Sequence, residues 1–173
     1  MADIKLHDYS DDVKTKVNDI IVAWLHTWSA EIASHAKMGC AMEDDAGVQL
    51  RKSYSHKVDE GNRVGYVGSP LESAFWEEYG TGSHADKSKN GGKAGREDWW
   101  VYYENNPNPR SDTPHYTTQS EAEAVAARLR KEGKPAHATN GRDPNYTLEK
   151  AFKAVKSKAL ADLEKQLKGM SSK

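Results

Sequence analysis

The stretch DDVKTKVNDIIVAWLHTWSAEIASHAK, Asp11 to Lys37, decides the class of fold. Its apolar residues fall at Val13, Val17, Ile20, Ile21, Trp24, Leu25, Trp28 and Ile32, a 3.6-residue period that predicts one long amphipathic helix over about 11–37. Ser10 reads as its N-cap, Asp11 and Asp12 suit the positive end of the helix dipole, and Gly39 ends the run. A helix with one apolar stripe must bury that stripe against another element.

Working outward from it, an acidic loop (Glu43, Asp44, Asp45, Gly47) leads to two alternating stretches, Tyr54-His56-Val58 and Val64-Tyr66. Asp59-Glu60-Gly61-Asn62 separates them, and the pattern predicts a β-hairpin. LESAFWEEYGTG, Leu71 to Gly82, places Ala74, Phe75 and Tyr79 at helical spacing and predicts a short helix ended by two glycines. Residues 82–98 turn to Gly, Lys and Ser and predict a flexible loop, with four cations and no acid between Lys87 and Arg96. WWVYY, Trp99 to Tyr103, reads as a strand, as do His115 to Thr118 and Pro135 to Thr139. Between the last two, Ser120 and Glu123 form a capping-box pattern before a helix that stops at Gly133.

At the far end, Asp143 before Pro144 reads as a cap with proline in the first helical position. Leu148, Phe152, Val155, Leu160, Leu163 and Leu167 then continue an apolar stripe opposite a lysine-rich face. The expected fold is α+β: long N- and C-terminal helices packed on a small, mainly antiparallel sheet, in a single domain spanning 1–173. A β-α-β insertion is expected at about 99–140.

Composition narrows the function. Leu, Ile, Val and Phe make up 25 of 173 residues, which predicts a thin core or one completed by neighbours, and five Trp and eight Tyr offset part of the shortage. The formal charge of −1 gives no general drive toward nucleic acid or membrane. Cys40 is the only cysteine, so neither an internal disulfide nor a cysteine-built metal site is expected. No apolar run approaches the roughly 18 residues of a membrane span, and the first ten residues lack a signal-peptide pattern.

Catalytic patterns are equally sparse. The seven histidines contain no H-E-x-x-H pattern, no serine stands in G-x-S-x-G, and the KSKNGGKAG loop lacks the P-loop spacing, since Ala94 follows Lys93. No cofactor, metal or enzymatic activity is expected. Two features could still meet nucleic acid: the cations Lys87, Lys89, Lys93 and Arg96, and the rings of Trp100 and Tyr102 in the adjoining strand. A strand packed on both faces requires the same aromatics, and packing is the favoured reading of them.

Ala46 to Gly82, AGVQLRKSYSHKVDEGNRVGYVGSPLESAFWEEYGTG, followed by GRDPNYTLEKAF from Gly141 to Phe152, resembles the head-to-tail neck or tail-completion proteins of long-tailed bacteriophages, also described as minor tail components. Leu50, Arg51 and Ser53 match that family's L-R-x-S element, Val67, Gly68 and Ser69 its hairpin end, and Glu78, Tyr79, Gly80, Thr81 and Gly82 its glycine turn. The resemblance spans about 100 of the 173 residues; Ala46 to Leu50 runs one residue longer than the family's pattern, and residues 83–140 form a larger insertion. It implies a structural virion protein, built in the host cytoplasm, that forms a ring, a hexamer favoured, joining head and tail and letting DNA pass. Its implied partners are copies of itself and the adjacent connector, head-closure, tail-terminator or tail-tube proteins. The implied contact residues are Arg51, Glu78, Tyr79, Gly80, Thr81 and Gly82, with Lys87, Lys89, Lys93 and Arg96 as a loop facing DNA or a partner. A small nucleic-acid-binding module using 87–96 and 99–103 is the alternative expectation.

Overall fold

The computed structural model describes residues 9–41, 45–89, 97–103 and 114–170. The fold is α+β, as the sequence predicts. The chain divides into two compact units, Met1–Leu71 with Thr147–Lys173, and Glu72–Tyr146.

In the first unit, helix α1 (Ser10–Gly39) packs against helix α5 (Thr147–Met170) and against a hairpin of β1 (Ser55–Asp59) and β2 (Val64–Gly68). Trp28, Val155 and Ala159 form the buried seam between the helices, with Trp24 and Ile32 beside them. The indoles do double duty. Trp24 Nε1 donates to the Ala159 carbonyl at 2.7 Å and Trp28 Nε1 to Asp162 Oδ2 at 3.0 Å, so each ring buries its body and still satisfies its polar edge. The hairpin pairs Asp59 with Val64 and Ser55 with Gly68, and its turn is held by the Asn62 amide on Asp59 Oδ1. Gly65 lets the hairpin lie close on α1, because a Cβ there would sit 2.3 Å from Ser29 Oγ.

Three details differ from the sequence expectation. The N-cap of α1 is Tyr9, without a side-chain cap bond, and Ser10 is already helical. Helix α2 (Asp45–Ser53) occupies a stretch whose start was expected as loop; its nine residues are too few to show a periodic stripe. Helix α5 begins at Thr147 rather than after Asp143, because Asn145 and Tyr146 give their amides to other carbonyls at 2.9 and 3.2 Å.

The second unit opens with helix α3 (Glu72–Tyr79) and the two-residue strand β3 (Thr81–Gly82). A three-stranded antiparallel sheet follows, with β4 (Trp99–Tyr103) central between β5 (His115–Tyr116) and β6 (Ala136–Thr139). Helix α4 (Gln119–Lys131) connects the outer two strands, the expected β-α-β arrangement. Its buried Ala122 and Ala126 meet Val101 and Ala136, flanked by Trp99, Tyr103, Tyr116 and Leu129. Odd-numbered side chains of β4 therefore face the helix and Trp100 and Tyr102 the other side. The capping box is present but shifted by two residues. Thr118 is the N-cap, its Oγ1 accepting from the Glu121 amide while Glu121 reaches back to the Thr118 amide. The unit closes with β7 (Gly141–Arg142), paired antiparallel to β3.

Candidate functional site

The first turns and last turns of helices leave backbone groups without intrahelical partners, and α3 is short enough for this to dominate its end. All four of its final carbonyls find donors: Trp76 O accepts from the Gly80 amide at 2.8 Å, Glu77 O from Asn145 at 2.9 Å, Glu78 O from Tyr146 at 3.2 Å and Tyr79 O from Asp86 at 2.8 Å. Segments 80–86 and 140–146, some sixty residues apart in the chain, are thus gathered on one helix end. They form a clamp.

Glycine makes the close approach possible. Thr81 pairs with Arg142 and Gly82 with Gly141. Gly82 has φ +62° and a Cβ there would lie 1.8 Å from the Asn140 carbonyl oxygen; one on Gly141 would lie 2.1 Å from that of Thr81. Gly80, at φ +73°, faces the Arg142 carbonyl in the same way. Three left-handed or glycine-only conformations at one crossing are what only a missing side chain permits.

Polar side chains then lock the crossing. Glu77, 1% exposed, accepts from Asn145 Nδ2 at 2.8 Å and pairs with Arg142 at 3.2 Å. Tyr146, itself at φ +52°, donates its hydroxyl to Asp86 Oδ2 at 2.7 Å, and Lys89 lies 4.5 Å above its ring. Hydrogen bonds from Ser88 and Tyr146 hold the Asp86 carboxyl below its usual range. His84 Nδ1 stands 2.8 Å from Asp143 Oδ1 and its Nε2 3.2 Å from Asn140 Oδ1, and the Asp143 hydrogen bond raises its pKa.

A second staple lies in the first unit. Ser53 Oγ, at the end of α2, is 2.6 Å from Ser69 Oγ just past β2, and also donates to the Leu50 carbonyl. Leu50 is fully buried.

The residues singled out in the sequence fall as follows. Arg51 sits half-buried in α2. Glu78, Gly80 and Gly82 are buried in the clamp, Thr81 Oγ1 accepts from the Arg142 amide at 3.1 Å, and the half-buried Tyr79 ring lies 5.0 Å from that of Phe75. In the loop expected to be flexible, His84, Asp86, Ser88 and Lys89 take part in the contacts just described. Lys87 is paired with Glu97 at 2.6 Å. Lys93 and Arg96 lie outside the described residues. Tyr102 is exposed on the sheet face away from α4, its ring 5.4 Å from His137.

Sequence reasoning missed Glu77, Asp86, Asn140, Arg142 and Tyr146, and read His84 as a loop residue. Their roles arise from a pairing across the insertion, and the one local signal was that both segments carry glycine beside polar residues. Glu31 and His35 face each other one helical turn apart on α1 at 3.5 Å, yet among the described residues no group of three or more ligating side chains assembles. Nor is any helix of the described residues long and apolar enough to cross a membrane.

Comparison of the chain with known protein families, with curated proteins and with solved structures finds no match.

Proposed function

We propose that the protein is a structural subunit of a phage head-to-tail neck, acting through assembly rather than catalysis. One observation carries this reading: the separated sequence elements on which the resemblance rests are brought together in pairs. L-R-x-S meets the hairpin end through Ser53 and Ser69, and Y-G-T-G meets G-R-D-P-N-Y in the clamp. Elements that close on each other in space act as a unit of architecture, and the resemblance gains physical content from that.

The core supports an assembling subunit. Eight of the fourteen buried hydrophobic residues among those described are alanines, each contributing little apolar area, while Phe152 and Leu160 on α5 are about half exposed. In a closed ring such surface is covered by the neighbouring copy. Light scattering on the purified protein, alone and mixed with the head-closure or tail-terminator protein of the same phage, tests the proposal. Formation of a ring or of a mixed complex is expected, and a strict monomer that joins neither partner would overturn it.

The exposed ring of Tyr102 favours one competing reading, a single-strand binding platform. Lys87 and Lys89 weigh against it, the first committed to Glu97 and the second to the Tyr146 ring. A salt titration of tryptophan fluorescence with single-stranded DNA separates the two, because phosphate binding weakens steeply as salt rises.

A further inference from the structure

The clamp contains a histidine whose two ring nitrogens both face oxygen. His84 Nδ1 faces the Asp143 carboxylate at 2.8 Å, and Nε2 faces Asn140 Oδ1 at 3.2 Å. The second of these is not free to turn. Ser83 Oγ donates to the Asn140 backbone carbonyl at 3.3 Å and so accepts from Asn140 Nδ2 at 3.0 Å, which leaves the amide oxygen directed at the imidazole. A neutral imidazole carries one N–H and one lone pair, so it would set a lone pair against one of the two oxygens; the imidazolium donates to both.

We propose that His84 is a pH-sensitive latch at the base of the 83–140 insertion, closing segment 83–86 onto segment 140–143 when protonated and releasing it when neutral. Asp143 is the carboxylate that faces it. The clamp's other charged groups are engaged elsewhere: Arg142 with Glu77, Asp86 with Ser88 and Tyr146, Lys87 with Glu97. The latch acts on a crossing that already depends on close backbone approach, since the Ser83 amide donates to the same Asn140 carbonyl at 2.8 Å.

The sign follows from linkage. A histidine whose folded pKa is raised adds stability that is complete below its ordinary value of 6.5 and is lost as pH climbs through the raised value. Asp86, held low, adds stability that is present above the ordinary carboxylate range and is lost on strong acidification. The clamp is therefore tightest in mild acid and loosens as His84 loses its proton on the alkaline side.

Nuclear magnetic resonance of the intact chain tests this without any variant, by following the His84 ring nitrogens through a titration. A midpoint above 6.5 is expected, falling toward 6.5 in Asp143→Asn. Amide exchange at Ser83, corrected for its intrinsic pH dependence, is expected to lose protection severalfold between about pH 6 and 8, and to be flat across that range in His84→Gln. A wild-type midpoint at or below the ordinary value, or protection at Ser83 that does not change with pH, would refute the latch.

Discussion

Gly82 and Gly133 both adopt left-handed backbone, yet they should respond differently to an added methyl group. At Gly133 nothing lies within 4 Å of the new Cβ, so Gly133→Ala is expected to cost only the conformational penalty of about 1–2 kcal/mol. At Gly82 the same penalty is joined by a clash with a backbone oxygen only 1.8 Å from the new Cβ, which has no flexible end to move aside. Gly82→Ala is expected to cost roughly 3 kcal/mol or more, and chemical denaturation of the two variants side by side measures the difference. Glu77 offers a second contrast at the same crossing. Arg142→Met would remove the ion pair of a fully buried carboxylate, an expected loss of about 2–4 kcal/mol given that Arg142 is itself partly screened by solvent. Glu77→Gln keeps the shape and removes the charge, so combining it with Arg142→Met should recover part of that loss.

Helix α4 shows how a local pattern can be right in kind and displaced in place. The sequence reading places the box at Ser120 and Glu123, but the structure forms it at Thr118 and Glu121, because Thr118 is extended while Ser120 is already helical. Thr118→Ala is thus expected to lower stability by about 1 kcal/mol and Ser120→Ala to leave it nearly unchanged in thermal melts. Between α1 and α5, Trp28→Ala removes a 92% buried ring and its bond to Asp162, an expected loss of about 3–5 kcal/mol. Trp24→Phe removes the indole donor to Ala159 together with part of a partly buried ring, and should cost roughly 1–2 kcal/mol.

Taken together, the chain is two small units with modest interiors, one built on paired helices and a hairpin, the other on a three-stranded sheet and its helix. Small cores leave large apolar side chains outside, and on α5 these are Phe152 and Leu160. If that surface is covered by a second copy, Phe152→Ser with Leu160→Ser should reduce assembly measured by light scattering while circular dichroism stays unchanged. Unaltered assembly in a folded double variant would place the contact elsewhere and leave the two residues without a role in the ring.

What the order of amino acids determined by itself was the local grammar. The 3.6-residue stripe of Val17 to Ile32, the hairpin signalled by 54–58 and 64–66, and the β-α-β pattern after Trp99 each depend on neighbours within a few positions, and the helix, the hairpin and the β-α-β unit are present in the structure. Tertiary structure alone decided the rest. That Gly82 must be glycine, that Glu77 is buried, and that Pro144 precedes rather than begins a helix all depend on segments 80–86 and 140–146 meeting across the insertion. No periodicity within either segment encodes that meeting, because backbone crossings are selected by the free energy of the whole packed unit.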